Sequence, residues 1–154
     1  MVAIIEALAL VSAALFAGGA LYVSVVEHPA RMRAGIPVAL AQFRQMYPLA
    51  APWQASSAAI CLVTGIISTL LTGQWTWAAG GVLVGAVIPF TLLAIMPTNH
   101  KLLDARAPAE DQAARLLARW ARLHLVRSLL GAVGLVVMAA AAVRGHFDAT
   151  QVVQ

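Results

Sequence analysis

Charge is what this chain lacks most. Lys, Arg, Asp and Glu together make up 10% of 154 residues, whereas 62% are hydrophobic and the mean hydropathy is +0.86. A soluble domain of this size has too little interior to hide so much apolar surface, so lipid is the expected solvent. Cysteine is nearly absent too. Cys61 stands alone inside an apolar run, which excludes an intrachain disulfide and leaves the redox compartment unread. The first apolar run has no basic segment before it, carries Glu6, and is too long for the core of a cleaved leader, so it is read as a retained span. No polar stretch is long enough to fold separately, and there are no internal repeats.

What is present is apolar length. At a window near 20 residues the runs fall at about 2–26, 54–73, 75–96 and 125–143. The expected fold is all-α: an integral membrane four-helix bundle forming a single domain, 1–154. Between the first two spans, "GIPVALAQFRQMYP" (35–48) places Pro37 at a favourable first helical position and closes on Pro48. It reads either as a short amphipathic helix at the membrane surface or as an irregular connector. Residues 104–131 read as one helix begun near Pro108, with Glu110 and Asp111 where the helix dipole favours carboxylates. Continued to Val143 it spans about 54 Å against about 30 Å of hydrocarbon, so its first half projects beyond the membrane.

The pI near 10.2 does not signal nucleic acid, because the basic residues flank spans. Arg31, Arg33, Arg44, Lys101, Arg106, Arg115, Arg119 and Arg122 fall on one side, with Arg127 at its boundary, and Arg144 alone on the other. The positive-inside rule puts the crowded side in the cytoplasm and both termini outside, in a bacterial-type inner or plasma membrane.

Polar groups converge on that side. The first run closes with Glu27 and His28 in "VVEHPARMR", before any basic residue. The third closes with "MPTNHKLLD", which supplies Asn99, His100 and Asp104. The fourth enters with Trp120, His124 and Arg127, spaced four and three apart and so on one helical face. That stripe continues through Gly131, Gly134 and Met138, which aims it into the bundle. Ionisable groups in such places are functional candidates by default. Plainer readings stand beside them: Glu27 paired with Arg31 in solvent, Asn99 capping a turn, Arg127 snorkelling, Trp120 anchoring at the interface. His100 and His146 are read as surface residues, Glu6 as snorkelling outward, and Gly81, Gly85 and Pro89 as packing and kink positions.

The set supports two chemistries. His28, His124 and Glu27 could ligate copper or iron, although no HxxxH or HxxH spacing exists. Alternatively a neutral histidine serves as general base, while Asn99 and Arg127 stabilise an enolate or oxyanion and Trp120 packs an aromatic substrate.

The order "EHPARM", "PTNHKLL" and "WARLHLVR" resembles the DUF1772, or anthrone oxygenase-like, membrane proteins over most of the chain. The resemblance implies oxidation of an anthrone-like phenolic molecule to a quinone with dioxygen as co-substrate, and no flavin, NAD or haem. It leaves either no cofactor or a copper or iron ion at the histidines. His28, Asn99, Trp120, His124 and Arg127 are the positions matching its pattern, whereas Glu27 lies outside it. The implied partners are the bilayer and a lipophilic small molecule. The small-residue stripes permit a homo-oligomer without demanding one. The competing expectation is a non-enzymatic membrane protein, either a small-molecule carrier or an assembly subunit.

Overall fold

The computed structural model describes residues 1–104, 106 and 108–151, with side chains as far as residue 145. His146 therefore lies outside the described side chains. Four helices carry the fold and each is long and apolar enough to cross a membrane: α1 (Val2–Arg33), α2 (Ile36–Thr72), α3 (Trp75–Leu103) and α4 (Glu110–Gln151). No strand occurs among the described residues. Helices α1 and α3 each pack against both α2 and α4, so the four form an up-and-down ring with antiparallel neighbours. Their outer faces are apolar: Val25, Trp53, Val63, Leu70, Leu93 and Val136 are all more than half exposed. The protein is an integral membrane protein.

Each tight connection rests on a glycine. Gly35, at φ +97°, turns α1 into α2, and Gly73, at φ +73°, ends α2. Both conformations are left-handed, where a Cβ is strained. The segment 36–48 is helical, but it is not a separate short helix. It runs unbroken into the second span, because Pro48 and Pro52 are absorbed inside one 37-residue helix. The fourth helix starts at Glu110, two residues after Pro108, with Glu110 and Asp111 in its first turn.

Two π turns interrupt regular geometry. Val23–Glu27 in α1 and Thr91–Ile95 in α3 each end just before a proline, at His28-Pro29 and Met96-Pro97. The His28 N–H reaches back five residues to the Val23 carbonyl, and the Met96 N–H does the same to Thr91. A proline ring crowds the carbonyl four residues earlier, and the wider turn relieves that crowding. In α1 the consequence is plain. The buried face runs Ala20, Val23, His28, Arg31, and its five-residue step would fall on another side of a regular α-helix.

The interior divides in two. One apolar cluster holds Phe16, Cys61, Trp77, Val84 and Met138, and the other holds Val23, Phe43, Ile95, Leu117 and Trp120. Lipid removes most of the hydrophobic drive between helices, so close van der Waals fit and small residues hold such a bundle. A Cβ on Gly134 would sit 2.9 Å from the Gly80 carbonyl oxygen, and one on Gly80 would sit 2.8 Å from the Gly134 oxygen. Helices α3 and α4 meet there backbone to backbone.

Candidate functional site

The polar groups of the interior lie at the junction of the two clusters. On α4, Trp120, His124, Arg127 and Ser128 follow one another along the inward face. Trp120 and His124 stack with ring centroids 4.5 Å apart and planes within 11°. The His28 ring lies 5.5 Å from Trp120, brought inward by the π turn before it. Phe43 meets Trp120 edge-on at 5.2 Å. The Arg31 guanidinium carbon sits 5.1 Å from the Trp120 ring centroid and 5.8 Å from that of Phe43, within cation–π range.

Glu27 and Arg31 are joined through an intermediary. Gln42 on α2 donates to Glu27 at 2.6 Å and accepts from Arg31 at 3.0 Å. The solvated Glu27–Arg31 pair expected from i, i+4 spacing is thus replaced by a bridged, part-buried one, and Arg31 is itself buried. Arg44 donates to the carbonyls of Leu102 and Asp104, tying α2 to the end of α3. These two arginines therefore have structural roles in joining α2 to α1 and to the end of α3.

Arg127 points inward rather than snorkelling. Its guanidinium donates to Gln54 on α2 and, at 3.4 Å, to Thr91 in the second π turn, with its carbon 5.6 Å from the Phe16 ring centroid. Ser128 and Ser24 share a hydroxyl contact of 2.9 Å that joins α4 to α1. Five side-chain nitrogens here, His28 Nδ1, Arg31 Nε and Nη2, His124 Nε2 and Arg127 Nε, are buried without a hydrogen-bond partner. A buried polar atom left bare costs free energy, so such atoms mark where a ligand or water completes the site.

Asn99 is fully buried, with both amide atoms unpartnered. It lies inside the helix rather than capping it, on the face of Ile95 and Leu102 in the second cluster. It makes no hydrogen bond to His28, Trp120, His124 or Arg127. His100 is exposed. The structure therefore brings the His28 and His124 rings each against Trp120, sets Arg127 one turn beyond, and leaves Asn99 in the adjoining core. It adds Gln54, Tyr47, Thr91 and Phe43, which sequence reasoning passed over, and Arg31, which it read only as a flanking charge and a partner of Glu27. The unused signal was polarity in apolar context: Gln54 opens the second run, and Thr91 lies mid-run two residues after Pro89.

A metal fits these residues poorly. Glu27, the third donor of the expected set, is engaged by Gln42. Among the described residues no three His, Cys, Asp or Glu side chains gather as a metal-holding group.

Two cavities lie at this layer, one against the Trp120–His124 stack and one against Arg127. One, of about 180 Å³, is lined by Ser24, His28, Trp120 and His124 between α1 and α4. The other, of about 130 Å³, has Arg127, Gln54, Tyr47 and Thr91 in its wall.

Comparison with known proteins decides the family. The anthrone oxygenase profile matches residues 43–137, which include every α2, α3 and α4 residue of the site named above except Gln42. The chain belongs to the anthrone oxygenase family. Among its relatives, anthrone oxygenase tpcL of Aspergillus fumigatus is 32% identical over 144 residues, covering 86% of this chain and 89% of the relative. An anthrone oxygenase of Claviceps purpurea is 30% identical over 136 residues, covering 80% and 76%. No solved structure gives a significant match. Membership suggests oxygenase chemistry with dioxygen. Within this anthrone oxygenase-family chain, the inward stripe of α4 and the His-Pro end of α1 meet at one layer.

Proposed function

We propose that this protein is a membrane oxygenase that converts a lipophilic, fused-ring phenolic ketone of the anthrone type to the corresponding quinone, at the cytoplasmic rim of the bundle. The observation that carries this reading is the stacked Trp120–His124 pair, with the bare Nε2 of His124 beside the Arg127–Gln54 contact. The names of the two relatives support the substrate class. The excess of arginines at that end supports its facing the cytoplasm.

The chemistry needs no external reductant. His124 Nε2 takes one proton from the methylene opposite the substrate carbonyl, and the electron pair spreads to the ketone oxygen as an enolate. The Arg127 cation stabilises that oxygen in a poorly solvated layer, where charge interactions are strong. The carbanion passes one electron to dioxygen. The resulting pair combines to form the new C–O bond, and protonation from His124 yields a hydroperoxide. Loss of the second methylene proton to His124, neutral again after that protonation, breaks the O–O bond and leaves the quinone carbonyl. The departing hydroxide recovers the proton from His124 and leaves as water. One oxygen atom enters the product and one enters water.

The test is dioxygen uptake by the protein in lipid nanodiscs with an anthrone supplied from the bilayer. The expected stoichiometry is one dioxygen per anthrone, with one labelled oxygen atom in the quinone when labelled dioxygen is used. A His124→Ala variant is expected to lose about 10²- to 10⁴-fold in turnover, the range of a general base. Wild-type protein without uptake, or a variant equal to wild type, sinks the reading.

A further inference from the structure

Arg127 carries a charge whose counterpart is missing. Its bonded partners, Gln54 and Thr91, are neutral, and its Nε is buried with no partner. Among the described residues the one ion pair is Asp111–Arg115, at 2.8 Å on the exposed start of α4. A cation placed between membrane helices is costly, and proteins offset that cost with an opposite charge or a functional ligand. The space in front of Arg127 is the cavity of about 130 Å³. Its remaining wall is apolar and partly aromatic: Phe16 and Tyr47 at the sides, Ala51 and Ala55 on α2, Ile88 and Leu92 on α3. Ala55 and Leu92 are exposed on the outer surface of the bundle, so the mouth faces lipid between α2 and α3. Ala51 and Ala55 lie one turn apart and leave that mouth unblocked. A smaller void shares Tyr47, Ala51, Gln54 and Arg127 with this cavity and reaches Trp120 and His124.

We propose that this chamber is the binding site for the anionic, enolate or phenolate, form of a fused-ring aromatic ketone. The ligand enters sideways from the bilayer between α2 and α3 and sets its oxygen against Arg127. The ligand class rests on the oxygenase reading, whereas the chamber, its charge and its entrance rest on the structure alone. Arg127 supplies the charge, Gln54 and Thr91 hold the guanidinium in place, and Phe16 and Tyr47 flank the rings. The cavity beside His28 lies between α1 and α4 and takes no part in entry.

A dihydroxyanthraquinone is the probe, because its visible absorption shifts to the red when a phenol ionises and it cannot turn over as an anthrone does. Titrated near neutral pH into nanodisc-held wild type, it is expected to bind and show the ionised band. Arg127→Gln is expected to lose the band and bind at least about tenfold more weakly, a loss of about 1.4 kcal/mol. Arg127→Lys is expected to keep part of both. Ala51→Phe and Ala55→Phe fill the mouth and are expected to weaken binding by the same factor or more. Ala59→Phe, one turn further along the exposed side of α2, is expected to bind as wild type. Helical circular dichroism and a monodisperse elution profile show that each variant is folded, and Ala55→Ser, which adds little volume, is expected to restore binding. Three outcomes overturn the proposal: no binding by wild type, unchanged binding in both mouth variants, or loss in Ala121→Phe at the other cavity with the mouth variants unaffected. Displacement of the probe by laurate would overturn the aromatic assignment. Binding as described without dioxygen uptake would leave the chamber standing and sink the oxygenase reading.

Discussion

At the scale of single residues, the site is a set of polar atoms with too few partners. Gln54 illustrates the consequence. Its amide oxygen holds the Arg127 guanidinium in place from across the bundle. Gln54→Leu is therefore expected to lower kcat more than it raises KM for an anthrone, because the cation is then free to turn from the developing enolate. Gln54→Glu gives Arg127 a permanent counter-charge and is expected to be the worse of the two, since the carboxylate competes with the anionic substrate. Steady-state kinetics of both variants decide the matter, and equal rates in all three proteins would remove Gln54 from the site. How much could be read from the chain at this scale depended on neighbours. Trp120, His124 and Arg127 were legible because spacings of four and three put them on one face. Gln54 was not, because a lone glutamine at the start of an apolar run looks like an interfacial residue until the long α2 is seen to bury it.

At the scale of helices, the four apolar runs foretold the four spans, since about 20 apolar residues have few other uses. The π turns were not foretold. Pro29 and Pro97 read as the ends of helices, whereas the chain continues past both by widening one turn. Pro29→Ala removes the crowding that favours the wide turn in α1. It is expected to return 23–28 to α-helical register and swing His28 off the Trp120 ring. Dioxygen uptake should fall at least about tenfold while helical circular dichroism stays at the wild-type level, a kinetic loss of about 1.4 kcal/mol. An unchanged rate would make the turn incidental to function. The Gly80–Gly134 contact makes a different prediction, one of stability. Gly134→Val forces α3 and α4 apart and is expected to cost about 1–3 kcal/mol, measured by denaturation in mixed detergent. Gly18→Ala, where an added Cβ meets nothing within 4 Å, serves as the comparison and should be close to neutral.

At the scale of the whole molecule, orientation follows from the arginines. With most of them at the site end, both termini are expected outside, so a C-terminal alkaline phosphatase fusion should be active and a C-terminal green fluorescent protein fusion dark. The reverse pattern would turn the site outward. Length matters at this scale as well. A 42-residue helix is about 63 Å long, roughly twice the hydrocarbon thickness, so α4 cannot lie wholly in lipid. The long extension was legible from Glu110 and Asp111 at one end and the apolar run at the other. The packing of a second apolar cluster along the extension was not, because it needed α1 and α2 to lengthen too.

On the proposed reading that extra height puts the polar layer where oil gives way to water, with the mouth between α2 and α3 opening on the oil side. An enzyme fed through such a door responds to the mole fraction of substrate in the film around it, and the concentration in the flask is a poor guide. Added empty lipid at constant total substrate should slow the reaction in proportion to its dilution of the film, and apparent KM values from preparations with different lipid content should converge only when expressed per lipid.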